Sequence, residues 1–135
     1  MANEAIIVEL LGNKGDPIRY SCADGTAIPK GTVMELETPR SVIPMSAAGK
    51  PFAGYAASEK VANDGQTSIA VYTNCIVLLR CGTTQCEIGQ FVITEAAVNT
   101  IKLGATLDFE TAWTLGRAME TIAIGHDGLV RTLVV

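Results

Sequence analysis

The sequence predicts a small all-β protein of about nine short strands, enough for two packed sheets or a small closed barrel. Three observations predict it. Glycine is frequent and regularly placed, 13 in 135 residues. Apolar segments of about five residues alternate with turn signals. No stretch sustains the apolar periodicity of a helix.

The elements follow in order. The first five residues carry no core-making pattern, and residues 1–8 read as a free N-terminal arm. Ile6–Leu11 is the first apolar segment and runs into Gly12-Asn13-Lys14-Gly15-Asp16-Pro17. Ile18–Cys22 stops at Asp24-Gly25, and Thr32–Leu36 stops before Pro39, which cannot donate to a central ladder. Residues 39–51, with three prolines and Ala47-Ala48-Gly49, read as one long loop of the kind that carries function. Phe52–Ala57 precedes Asn63-Asp64-Gly65, residues that tolerate positive φ. Thr67–Arg80 is the longest β-rich stretch, followed by Gln90–Thr94, Thr100–Leu103, Leu115–Ile122 and Leu129–Val135. Turns are expected at Gly82, Gly89, Asn99 and Asp127-Gly128. Glu95–Val98 and Asp108–Thr114 offer at most one or two helical turns, the latter with Phe109 and Trp113 on one side.

Composition excludes several classes. With 48% apolar and 18% charged residues, the chain fills a core and is not disordered as a whole. A net charge of -4 without a basic run is a poor match for phosphates, so nucleic acid is not the expected partner. The apolar runs, such as Cys75–Leu79, are far shorter than a membrane helix needs. Met1-Ala2-Asn3-Glu4 places an acid where a signal peptide carries a base, so synthesis in a reducing cytoplasm is expected. One domain spanning residues 1–135 accommodates the length.

Catalysis has no foothold. His126, the sole histidine, sits in a Gly-His-Asp-Gly turn, and neither a nucleophile elbow nor a P-loop is present. Glu35 and Glu37 alternate as an exposed strand face would, and Glu59, Asp64 and Asp108 lack the oxygen spacing of a calcium loop. Cys22 and Cys75 read as core. Cys81 and Cys86 flank Gly82-Thr83-Thr84, close enough to bridge if oxidised, but the spacings do not make a zinc knuckle. No enzyme activity, metal or cofactor is expected. The C-terminal Leu129–Val135 is apolar on both strand faces, as for a strand covered on both sides, by its own core or by another subunit.

An ordered set of segments resembles the capsid cement, or head decoration, proteins of tailed bacteriophages. It comprises Ala23-Asp24-Gly25-Thr26-Ala27-Ile28-Pro29-Lys30-Gly31, Pro39-Arg40, Phe52-Ala53-Gly54, Glu59-Lys60-Val61-Ala62-Asn63-Asp64-Gly65 and Ile69-Ala70-Val71-Tyr72. Gly116-Arg117-Ala118-Met119-Glu120-Thr121 closes it. The resemblance implies a small β-sandwich or tulip-like barrel with a free N-terminal arm, and a virion protein made in the bacterial host cytoplasm. It would sit as homotrimers on the outer surface of the expanded head, where it bridges and stabilises major capsid subunits without cofactor or membrane. Cys75 departs from an expected glycine, and Leu79–Gln85 departs from the usual small-polar hairpin.

Shell contact is then expected from the arm (Ala2, Asn3, Glu4, Ala5, Ile6, Ile7, Val8) and from Ser41, Val42, Ile43, Pro44 and Met45 of the long loop. Trp113, Val130, Thr132 and Val134 are expected at the contact between subunits. The alternative is a small β-barrel module that binds host glycans or peptides. An enzyme built on Asp64, Asp108 and His126 is the more distant rival.

Overall fold

The computed structural model describes residues 3–12, 17–47, 50–95, 99–104 and 114–132. Among them lie eleven strands and no helix: β1 (Ile6–Leu10), β2 (Ile18–Ser21), β3 (Val33–Thr38), β4 (Ser41–Pro44), β5 (Phe52–Ala56), β6 (Ser68–Tyr72), β7 (Cys75–Cys81), β8 (Phe91–Thr94), β9 (Thr100–Leu103), β10 (Thr114–Ala118) and β11 (Asp127–Thr132). The all-β class read from the sequence is what the chain adopts.

The strands form two barrels of identical topology. Strands β2–β6 close in the order β2-β4-β3-β5-β6, with β2 and β4 parallel and every other pair antiparallel. Strands β7–β11 repeat that order as β7-β9-β8-β10-β11, again with one parallel pair, β7 with β9. The register repeats as well. Ser21↔Ser41 in barrel one matches Arg80↔Thr100 in barrel two, and Ala56↔Val71 matches Ala118↔Val130.

The connections follow the same rule. An isolated two-residue bridge, Ile28↔Lys60, joins the β2–β3 and β5–β6 connections, and Cys86↔Ile122 does so in barrel two. Gly31 N–H donates to Ala56 O, as Gly89 N–H donates to Ala118 O. Both glycines have positive φ, 86° and 80°, where a side chain is disfavoured. Arg40 and Asn99, at the β3–β4 and β8–β9 turns, share a left-handed backbone with φ of 55° and 56°. No fixed spacing of residues announces this internal repeat; the strand pairing shows it.

The cores correspond residue by residue. Cys22, Ile28, Met34, Val42, Ala53, Ala56, Ile69 and Val71 fill barrel one. Their counterparts in barrel two are Cys81, Cys86, Val92, Ile101, Leu115, Ala118, Gly128 and Val130. All except the glycine belong to a second apolar cluster, which runs on through the seam to Val33, Met45, Phe52 and Tyr55 of barrel one. Val33 and Met34 show how one strand serves both, because consecutive strand residues face opposite ways. Met34 points into barrel one and Val33 into the seam.

Three expectations are corrected. The arm is not free: Ile6–Leu10 pairs antiparallel with β7 from Leu78 to Cys75, with a bulge at Val8. The 39–51 loop contains β4, which closes barrel one. Pro44 is tolerated there because Met45 N–H makes the bond to Val33 O, so the ring nitrogen faces the side on which β2 has already ended. Asp127-Gly128 opens β11 rather than forming a turn, and the reversal falls at Gly125, with φ 80°. Two more strands than expected result, one of them β4 and the other because Thr67–Arg80 divides at Thr73-Asn74 into β6 and β7.

Candidate functional site

The best-built polar cluster lies at the cap of barrel one, the end formed by the β2–β3 and β5–β6 connections. Lys60 is drawn in by the two-residue bridge with Ile28, which leaves its side chain fully buried. Its Nζ donates to the carbonyls of Asp24 (2.6 Å), Thr26 (3.2 Å) and Val61 (3.2 Å). Ion pairs run to Asp64 at 3.3 Å and Asp24 at 3.9 Å. The carboxylates are in turn held by backbone: Asp24 Oδ1 accepts Gly65 N–H, and Asp64 accepts Val61 N–H and Gln66 N–H. The Gln66 N–H bond is the main reason the Asp64 carboxyl titrates below its ordinary value, with Lys60 adding to it. A buried ammonium with three carbonyls and two carboxylates has its donors committed. This cluster is a pin holding two loops together, not a reactive centre. Cys22 lies beside it, its thiol pushed up by burial and partly eased by Lys60.

In barrel two, Ile122 takes the position of Lys60. The apolar side chain occupies the space that Ile69 fills in barrel one, and the partner position is accordingly Gly128. A Cβ on Gly128 would stand 2.3 Å from Ile122 Cγ1. The pair Lys60 and Ile69 is thus exchanged for Ile122 and Gly128.

The residues expected at the shell are divided by the fold. Ala2 lies outside the described residues. Asn3 is exposed and Glu4 half-buried. Ala5 is buried because its N–H donates to Gly31 O, bringing the backbones so close that a Cβ on Gly31 would meet Ala5 O at 2.1 Å. Ile6 and Val8 are 57% and 52% exposed, while Ile7 packs on the core. In β4, Val42 is buried inside barrel one and Met45 at the seam, so neither reaches a partner. Ser41, Ile43 and Pro44 are half-buried. The two sets sit on different elements, β1 against β7 and β4 between β2 and β3.

The residues expected between subunits are corrected likewise. Val130 is wholly buried and Thr132 nearly so, because the face of β11 that carries them turns into the chain's own core. Thr132 Oγ1 donates to Tyr55 Oη at 3.1 Å across the seam. Trp113 and Val134 lie outside the described residues, as does Asp108. Among the rest, Glu35 is not on an exposed face. It is 5% exposed and accepts the N–H and hydroxyl of Ser46 (3.0 and 2.9 Å), while Glu37 is exposed. His126 is exposed in its turn, its carbonyl accepting Cys81 N–H. The four cysteines are free and buried.

An open cleft of about 370 Å³ lies where the N-terminal residues cross between the barrels. Asn3, Glu4 and Lys30 line one side, Leu78, Arg80 and Asp127 the other. Arg80 is anchored by Asp127, 3.4 Å from its Nε, and by the Gly125 carbonyl. Among the described residues no group of His, Cys, Asp and Glu is arranged to hold a metal ion, and no helix is long and apolar enough to cross a membrane. No protein-family model matches the chain, and no curated protein matches it either.

Sequence reasoning missed Lys60 as a structural centre and Tyr55 and Asn99 as polar contacts of the seam. The signal for Lys60 was a lysine inside an otherwise strand-and-turn motif, six residues before Gln66 and within reach of two aspartates.

Proposed function

We propose that the chain is a structural virion protein, a capsid cement subunit that binds the outside of an expanded phage head as trimers and bridges major capsid subunits. One observation carries the reading. The segments that resemble the cement family, distant in sequence, converge on constrained parts of one fold. Residues 23–31 and 59–65 dock on each other through Lys60, and Gly54 and Gly116 occupy equivalent strand positions in the two barrels. A rigid pair of barrels with exposed Ile6 and Val8 on an outer strand suits a part that adheres to a surface, and three copies on one trimer gain avidity from weak contacts.

Light scattering over a concentration series and co-sedimentation with expanded empty heads test the reading. A trimer near three times 14.2 kDa that sediments with heads is expected, with Ile6→Ser/Val8→Ser weakening sedimentation and leaving the fold intact. A monomer that ignores heads overturns it. The alternative, a glycan- or peptide-binding module, draws on the charged cleft around Lys30 and Arg80. It is favoured if the isolated protein lights up a glycan or peptide array.

A further inference from the structure

The cap of barrel two carries a chemistry that barrel one lacks. Cys81 and Cys22 are equivalent, but Ile28 of barrel one is replaced by Cys86, so the cap of barrel two holds two thiols where that of barrel one holds one. The Cys81 and Cys86 sulfurs are 3.6 Å apart, both side chains are buried, and both point at the Thr84 carbonyl, at 3.0 and 3.8 Å. Backbone bonds hold each cysteine: Cys81 to His126 and Gly125, Cys86 to Ile122 on both sides. The four residues between them form a turn in which Thr83, Thr84 and Gln85 are exposed.

We propose that Cys81 and Cys86 are a redox modification site, closing to an intramolecular disulfide that fastens the cap of barrel two as the Lys60 cluster fastens that of barrel one. A disulfide needs sulfurs about 2.05 Å apart, so the pair must approach by roughly 1.5 Å. The exposed turn supplies that movement without disturbing the strands. With hydrogen peroxide as the oxidant, one thiol is first oxidised to a sulfenic acid and releases water. The second thiol then attacks that sulfur, the S–S bond forms and a second water leaves. Two protons and two electrons pass from the thiols to the peroxide, and a dithiol reductant reverses the change. Burial, with Cys81 beside it, pushes the Cys86 thiol up to about 12. Little Cys86 thiolate therefore exists at neutral pH, and attack by that sulfur quickens as pH rises.

The test uses the folded full-length protein, dilute hydrogen peroxide, and mass spectrometry after alkylation in denaturant. Trypsin places Cys81 and Cys86 together in the peptide from Cys81 to Lys102 and separates them from Cys22 and Cys75. The expected result is a loss of about 2 Da in that peptide with alkylation of Cys22 and Cys75 retained, a fall from four free thiols to two, and reversal by dithiothreitol. Cys86→Val should abolish the mass loss. The wild-type peptide map stands alone if that variant does not fold. Four thiols surviving treatment, a bridge that includes Cys22 or Cys75, or an intermolecular dimer each overturn the proposal. It does not rest on the capsid reading.

Discussion

The hydroxyls of Thr132 and Tyr55 meet 3.1 Å apart across the seam, one from the last described residue of barrel two and the other from a central strand of barrel one. Thr132 donates and Tyr55 accepts. The Cys75 sulfur, 3.9 Å from Thr132, approaches the same oxygen. Tyr55 has no exposed surface, and its ring packs edge-on to Phe52 at 5.2 Å, so this contact, with the Val33 N–H bond to Asn99 Oδ1 at 3.0 Å, is a polar register mark in a largely apolar seam.

Tyr55→Phe removes the acceptor and leaves the Thr132 hydroxyl buried without it. A loss of about 1–3 kcal/mol is expected, the range for stranding a buried donor. Urea unfolding reads it as a lower midpoint at unchanged slope. A loss under about 0.5 kcal/mol would show that the bond contributes nothing to holding the barrels in register.

Lys60→Met strips three carbonyls of their donor and two carboxylates of their counter-charge, for an expected cost of about 3 kcal/mol. Hydrogen exchange should quicken at Asn63 and Gly65, whose amides depend on Asp24. The acid limb gives an independent check. Because the folded carboxyl of Asp64 titrates below its unfolded value near 3.9, its contribution is present above about pH 4 and disappears as pH falls through the lower, folded value. Asp64→Asn should therefore weaken the protein at pH 7 and do so less at pH 2. Equal effects at both would exclude the charge as the cause.

The basic limb has the opposite origin. Burial raises the thiols of Cys75 and Cys86 and the phenol of Tyr55 above their ordinary values, so the folded chain keeps protons that the unfolded chain releases. Stability is full below about pH 8 and falls progressively as pH climbs past the unfolded thiol value near 8.5 towards the folded ones. Chemical denaturation under reducing conditions, repeated from pH 7 to 11, should show the midpoint dropping. Cys86→Val should make the drop shallower. A flat profile would contradict the burial of these groups.

Gly54 and Gly116 share a constraint imposed by the equivalent strand pairs. A Cβ on Gly54, whose φ is 141°, would stand 2.4 Å from Val71 Cγ1 and 2.5 Å from Tyr72 O, and one on Gly116 would stand 2.1 Å from Arg131 O. Alanine at either position should cost about 2–4 kcal/mol, because backbone must shift to admit it. Thermal melts of both variants check it. A large loss at one glycine with none at the other would show that the barrels are not equally closed.

Much of the strand content was legible because alternation and turn residues act locally. Thr100–Leu103 is β9 to the residue, and the divisions at Gly89 and Asn99 hold. The duplication was not legible. Equivalent residues drift from 58 apart, Gly31 and Gly89, to 62 apart, Gly54 and Gly116, so no fixed period exists. Interior positions also exchange chemistry in compensating pairs, as Lys60 with Ile69 against Ile122 with Gly128. The covering of β11 was ambiguous for the same reason. A strand apolar on both faces reads as covered on both, but the fold buries only the face of Gly128, Val130 and Thr132 within the chain and leaves Leu129 and Arg131 half-buried.

The anchoring of β1 also dictates an order of events. Residues 17–72 hold every partner of barrel one, so that barrel can close once they are synthesised. β1 leaves the ribosome first, yet its partners are Cys75–Leu78, about seventy residues downstream. Closing so long a loop is entropically expensive. The N-terminal strand therefore waits, unpaired, until β7 emerges, and its docking is a late folding step that records the assembly of the second barrel.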